Sequence, residues 1–211
     1  MAELRILVTR PRHQASGQAE LLAGLGFEPV LLPLLEITPV DESDPGFSLL
    51  KTRIMDLDLY HYVIFISTNA VNTGIDLIDQ YWPQLPVGIE WLAIGKQTAG
   101  KLHEFGISAT KSAAGYDSEA LLSLPQLQQM DGKKVLIMRG AGGRETLAEQ
   151  LIQRGARVDY ADLYRRRLPD YTSGQISSTI GDARPDVILI TSGEAVSNLD
   201  QLISEYHLGH T

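Results

Sequence analysis

Two phrases occur twice in this chain, and the repetition constrains the fold more than any single motif does. Residues 63–71 read VIFISTNAV, and residues 187–196 read VILITSGEAV, the same phrase with one residue inserted. Residues 6–10, ILVTR, are echoed by residues 135–139, VLIMR. Carried on without a gap, the second match aligns Arg10 with Arg139, Glu20 with Glu149, Leu22 with Leu151 and Gly26 with Gly155. A fixed internal repeat of this kind sets the architecture before local propensity does. In each phrase a β-branched apolar run stops at small polar residues, and a helical pattern then begins. This is a buried strand, a turn and a helix N-terminus.

Strands alternate with helices along the whole chain, which predicts a mostly parallel sheet. The expected fold is α/β, with two similar parallel-sheet lobes. Polar connections with turn residues fall near 38–45 and 166–173, at matching places in the two copies. The chain then crosses between lobes twice. One lobe is expected to pair residues 1–37 with 174–211, and the other to hold residues 46–165. Residues 4–10 and 28–35 are read as strands of the first lobe, and 37–46 as linker. Strand 157–164 and a helix over 175–182 are expected further on. In the first copy, a strand-turn-helix over 91–106 follows the repeated phrase, and the second copy has no sequence left for it. The expectation is therefore that a C-terminal unit is missing from a truncated sequence, since an open sheet lacking its last strand exposes an unpaired edge.

With 211 residues and no cysteine, disulfides, thiolate nucleophiles and Cys-ligated zinc are excluded. No apolar run is long enough to span a bilayer, and the N-terminus lacks a signal-peptide pattern. A cytoplasmic location is expected. The net charge of −8 argues against a broad basic surface for nucleic acid. An anionic small molecule is still admissible where helix N-termini and a few cations give local positive potential.

Ligands of open α/β sheets bind beyond the carboxyl ends of the strands. Those ends read Thr9-Arg10-Pro11-Arg12, Ser67-Thr68-Asn69, Gly95-Lys96-Gln97-Thr98, Arg139-Gly140-Ala141-Gly142-Gly143-Arg144 and Thr191-Ser192-Gly193. Each leads into a helix N-terminus with free N–H groups. Any one of them is equally an ordinary N-cap. Their agreement across both lobes points to one large anion. Arg139 and Arg144 are candidates to clamp a carboxylate. The glycines at 140, 142 and 143 do not complete a dinucleotide fingerprint, because position 145 is Glu. The histidines show no zinc-ligand spacing, and no nucleophile elbow is present. Tyr164 ends a strand beside the second linker, where a phenol can donate a hydrogen bond or simply pack. By strict alternation it shares a strand face with Tyr160.

The segments ILVTRP, VIFISTNAV, AIGKQTA at 93–99, VLIMRGAGGRETLAEQL, VDYADLYRR and VILITSGEAV, in this order and spacing, resemble the uroporphyrinogen-III synthases. The resemblance implies two α/β lobes of flavodoxin-like topology joined by a two-stranded linker. It implies a monomeric hydro-lyase of porphyrin biosynthesis that needs no cofactor. Its substrate would be an anionic linear tetrapyrrole, hydroxymethylbilane, closed with inversion of ring D and loss of water. Under it Tyr164 corresponds to the family's tyrosine near the leaving group. Ser67, Thr98 and Ser192 correspond to turn residues of its strand ends. Thr68, Arg10, Lys96, Arg139, Gly140 and Arg144 are added from this sequence as substrate-binding candidates. The competing reading is a non-catalytic two-lobe anion-binding or sensor module, and a weaker one is a nucleotide-dependent enzyme.

Overall fold

The computed structural model describes residues 4–112, 115, 117–143 and 145–206. In chain order the elements are β1 (Arg5–Val8), α1 (Arg12–Gly24), β2 (Glu28–Leu31), β3 (Glu36–Pro39), α2 (Phe47–Met55), β4 (Tyr62–Phe65), α3 (Thr68–Tyr81), β5 (Glu90–Ala93), α4 (Lys96–Glu104), α5 (Ser118–Leu122), β6 (Lys134–Gly140), α6 (Thr146–Gln153), β7 (Arg157–Arg167), α7 (Ser173–Ile176), β8 (Val187–Leu189) and α8 (Gly193–Glu205). The chain divides into two compact units, Met1–Thr38 with Arg166–Thr211, and Pro39–Arg165.

The smaller unit carries a sheet of order β2-β1-β8, with β1 parallel to both neighbours. Leu7, Leu32, Leu34, Ile176, Ala195, Leu199 and Leu202 form its core. The second sheet has the order β3-β7-β6-β4-β5, of which β6, β4, β5 and most of β7 lie in the larger unit; β6 runs parallel to β7 and β4, and β4 parallel to β5. The repeated phrases occupy equivalent places: β8 lies beside β1 as β4 lies beside β6. Strand β5 has no counterpart among the described residues of the smaller unit.

Alternation along β4 and β6 gives the larger sheet two apolar faces. Tyr62, Ile64, Val135 and Ile137 pack with Leu121 and Leu122 of α5 and with Leu147 and Leu151 of α6. Phe65, Met138 and Leu163 meet α3 on the other face. There Gly74 lets the helix approach so closely that a Cβ would lie 3.0 Å from Phe65 and from Leu163. Phe65, Ile64 and Leu151 are fully buried. Each such side chain stabilises the fold by about 1.5–3 kcal/mol.

The structure corrects several expected boundaries. The segment read as linker from residue 37 begins as strand β3, and Val40 N–H continues its pairing by donating to the Leu163 carbonyl at 2.9 Å. Pro39 fits here because β3 is an edge strand, where a missing donor is tolerated. Strand β2 stops at Leu31, and Pro33 follows two residues later. Strand β7 runs three residues past Tyr164 to Arg167. Over 175–182 the helix starts earlier, at Ser173, with a Thr172–Gln175 capping box, and widens into a π-helical turn over Ser177–Asp182. Within α1 only Ala15 is buried, and Leu25, just past the helix end, is exposed.

Candidate functional site

Strand β4 ends at Phe65, and Ser67 caps α3. Its extended backbone (φ −160°, ψ 161°) lets Oγ accept from Ala70 N–H at 3.1 Å. The other half of the arrangement comes from β7, which β6 separates from β4. Two local features carry a β7 side chain that far. The β6–β7 register pairs Arg139 with Asp162 and then Gly140 with Tyr164, leaving Leu163 as an extra residue. This bulge moves Tyr164 off the face of Tyr160 and turns it over Gly140. Gly140 then leaves room for the ring: a Cβ at that position would lie 2.4 Å from Tyr164 Cε2 and 2.6 Å from Cζ. The ring crosses the end of β6, and its hydroxyl stands 3.1 Å from Ser67 Oγ. Ala141 N–H donates to the Tyr164 carbonyl at 2.7 Å and fixes the backbone there. Tyr164 is buried, and Ser67 is half-buried. The shared face expected for Tyr160 and Tyr164 is thus corrected, because strict alternation does not survive a bulge.

Arg139 points to the opposite side of the sheet from the Gly140 position. It is 7% exposed, so the guanidinium sits within the fold. Its Nε donates to Asp162 Oδ1 at 2.8 Å, and the guanidinium carbon lies 3.5 Å from the Tyr160 ring centroid. A buried cation is tolerable with such partners and costly without them. Nη1 finds no partner among the described residues, and Arg139 helps line a cavity of about 30 Å³ with Ser118, Leu147 and Tyr160. A space of that size suits one water molecule. Burial pushes the Tyr160 phenol up, and the neighbouring guanidinium opposes this. Arg165, directly after Tyr164, grips Asp44 through two bonds of 2.6 and 3.0 Å. That bond, followed by the one from Gly46 N–H, holds the Asp44 carboxyl below its ordinary range.

The remaining candidates fall in three places. Lys96 is exposed at the start of α4 and lines a cavity of about 480 Å³ with Ile94, Gln97 and Thr98. The turn before it needs Gly95, whose φ is +82°. Thr98 lies inside α4 and is buried. Thr68 is half-buried in the first turn of α3. In the smaller unit, Arg10 follows Thr9 at the end of β1, and Thr9 Oγ1 donates to the Leu189 carbonyl of β8 at 2.6 Å. Ser192 is exposed and caps α8 by accepting from Ala195 N–H at 3.2 Å. Arg10 and Ser192 therefore stand at neighbouring strand ends of one sheet. Arg144 lies outside the described residues.

Sequence reasoning passed over a cavity of about 720 Å³ in the smaller unit, lined by Arg12, His13, Ser16, Tyr171 and Gln175 among others. It opens beside the ends of β1 and β2. The signal was the second arginine of the TRPR loop, at the first turn of α1.

Fold and geometry define the class: a two-unit parallel α/β protein with a buried tyrosine against a half-buried serine at the strand ends of its larger unit. A family model for uroporphyrinogen-III synthase HemD matches residues 17–211. The uroporphyrinogen-III synthase of Proteus mirabilis is 32% identical over 205 residues, which is 95% of this chain and 98% of that one. That of Escherichia coli is 32% identical over 213 residues, covering 98% of this chain and 83% of the relative. Among solved structures, a Thermus thermophilus uroporphyrinogen III synthase superposes with a TM-score of 0.65 at 19% identity, over 95% of this chain and 77% of that one. A Helicobacter pylori uroporphyrinogen-III synthetase gives 0.53 at 17% identity, over 97% and 78%. At these identities the structures speak for the fold. The chain belongs to the uroporphyrinogen-III synthase family.

Proposed function

We propose that this protein is a uroporphyrinogen-III synthase that closes hydroxymethylbilane into uroporphyrinogen III, with inversion of ring D and loss of water. In this reading it is a hydro-lyase of tetrapyrrole biosynthesis that works without a cofactor, as a monomer in the cytoplasm. One observation supports the catalytic part most: a phenol held rigidly at the strand ends, over Gly140 and against Ser67.

The reaction starts at a hydroxymethyl group on a pyrrole. As the carbon–oxygen bond breaks, its electron pair goes to oxygen, and the pyrrole nitrogen feeds electrons into the exocyclic carbon. A hydrogen bond from Tyr164 to that oxygen strengthens as negative charge builds there. The oxygen takes the proton and leaves as water. The carbon left behind is attacked by the substituted position of ring D to give a spiro intermediate, which reopens and closes in the inverted sense. The proton lost when aromaticity returns restores the phenol. No strong acid or nucleophile is called for. The larger demand is to hold a flexible chain near its cyclic geometry.

Substrate carboxylates are assigned to the cations and free N–H groups at the strand ends, with Lys96 and Thr68 in the larger unit and Arg10 and Ser192 in the smaller. No helix among the described residues is long and apolar enough to cross a membrane. The test is incubation with freshly made hydroxymethylbilane. The proposal expects consumption much faster than in a protein-free control, and it fails if the two rates are equal.

A further inference from the structure

We propose that Ser67 is a positioning residue for Tyr164 rather than a hook for a substrate carboxylate: its hydroxyl donates to the phenol oxygen and leaves the phenol's own proton for the departing substrate oxygen. The inference rests on the catalytic reading of Tyr164 given above.

A serine hydroxyl has one proton and two lone pairs. At Ser67 one lone pair already accepts from Ala70 N–H. The Tyr164 hydroxyl is the second neighbour, at 3.1 Å, and either oxygen is placed to donate. The surroundings select the direction. Ser67 caps α3, a helix of 14 residues, so its oxygen sits at the positive end of the helix dipole and receives an N–H. Both effects draw electron density from Oγ, which makes the serine a better donor and a poorer acceptor. The chain then runs Ala70 N–H to Ser67 Oγ–H to Tyr164 Oη–H. With the ring set by Gly140 and the backbone held by Ala141, its last proton has a fixed origin.

This arrangement acts in the charge shift of carbon–oxygen cleavage rather than in binding. As the carbon–oxygen bond breaks, the leaving oxygen receives the electron pair and the Tyr164 proton and departs as water. The phenolate left behind is held by the Ser67 O–H. That bond strengthens along the reaction, which is the condition for raising kcat instead of lowering KM.

The test uses the full chain with Ser67→Gly and Ser67→Thr. Glycine is tolerated at an N-cap with little loss, so Ser67→Gly removes the hydroxyl while keeping the helix. Turnover of hydroxymethylbilane is measured in each variant and in Ser67→Gly/Tyr164→Phe. The NMR resonance of the Tyr164 ring carbon bearing the hydroxyl is also followed, assigned by its disappearance in Tyr164→Phe. Ser67→Gly is expected to lower kcat about tenfold, the size of one hydrogen bond to developing charge, with KM unchanged. Ser67→Thr restores the rate, the double variant is no slower than Tyr164→Phe, and the ring-carbon resonance shifts in Ser67→Gly. A raised KM at constant kcat, or losses that multiply in the double variant, overturns the proposal in favour of a binding hook. An unmoved resonance also overturns it, whatever the activity. If the wild type itself leaves hydroxymethylbilane unconsumed while the resonance shifts, the hydrogen bond stands, and it is the catalytic reading that fails.

Discussion

Gly140 and Tyr164 are partners across the β6–β7 ladder, and the tyrosine ring occupies the space that a side chain at 140 would fill. Restoring a methyl group tests this contact directly. Gly140→Ala puts carbon within 2.4 Å of the ring, so either the ring or the strand end must move. The expected cost is about 1–3 kcal/mol in urea unfolding, as for other overpacked sites. A fall in kcat should accompany it, because the hydroxyl leaves Ser67. Wild-type stability and rate in this variant would show that the ring is not held by the glycine.

Tyr164→Phe keeps the ring and its packing and removes only the hydroxyl. If the phenol donates to the leaving oxygen, kcat falls roughly 100-fold, within the range of general acids, while KM changes little. Stability should drop by no more than about 1 kcal/mol, one hydrogen bond to Ser67. An unchanged rate and an unchanged proportion of the type III isomer would remove Tyr164 from the chemistry.

How far these residues were legible in the sequence differs from one to the next. Ser67 announced itself: an apolar strand run ending at Ser-Thr-Asn is an N-cap signal, and its echo at Ser192 made the same case in the other copy. Tyr164 was visible as a strand-end phenol, but its orientation was not. Pairing register is a tertiary property, and one extra residue at Leu163 sends the next side chain to the other face. Gly140 looked like part of a polar glycine-rich loop, whereas it closes β6 and lies under an aromatic ring. The surroundings of Arg139 were illegible for a similar reason. A charged residue at a strand end suggests solvent, and only the fold reveals Asp162 and Tyr160 arranged around it. Strand β3 was hidden by Pro39 and the acidic residues after it, since edge strands carry little of the apolar signature of central ones.

The Arg139–Asp162 pair should respond asymmetrically. The arginine side chain is 8% exposed and the aspartate side chain 43%. Asp162→Ala leaves a buried cation without its carboxylate and should cost about 3 kcal/mol. Arg139→Met removes the charge and keeps most of the bulk, so it should cost less, about 1 kcal/mol. Urea midpoints for the two variants decide the matter, and equal losses would show that the pair is not a buried charge with its counterion.

Tyr60 predicts how stability depends on alkaline pH. Burial, and then its hydrogen bond to Asp159 Oδ2 at 2.9 Å, raises this phenol above its ordinary value of 10.0. The folded state thus holds a proton that the unfolded chain gives up near that value, so stability falls as pH rises. The contribution is complete below pH 10.0 and is lost as pH climbs from there towards the folded value. Tyr62, Tyr160 and Tyr171 are raised by burial too, so Tyr60→Phe should remove part of the slope and not all of it. Unfolding free energies measured from pH 9 to 11 should decline less steeply in the variant. Superimposable curves would rule Tyr60 out as a source.

The most direct measurement is the isomer composition of the product. Freshly prepared hydroxymethylbilane is incubated with the protein, the porphyrinogens are oxidised, and the type I and type III porphyrins are separated. A uroporphyrinogen-III synthase gives predominantly type III, in a proportion that rises with protein concentration. A product mixture that is type I at every concentration, matching the protein-free control, would contradict the account.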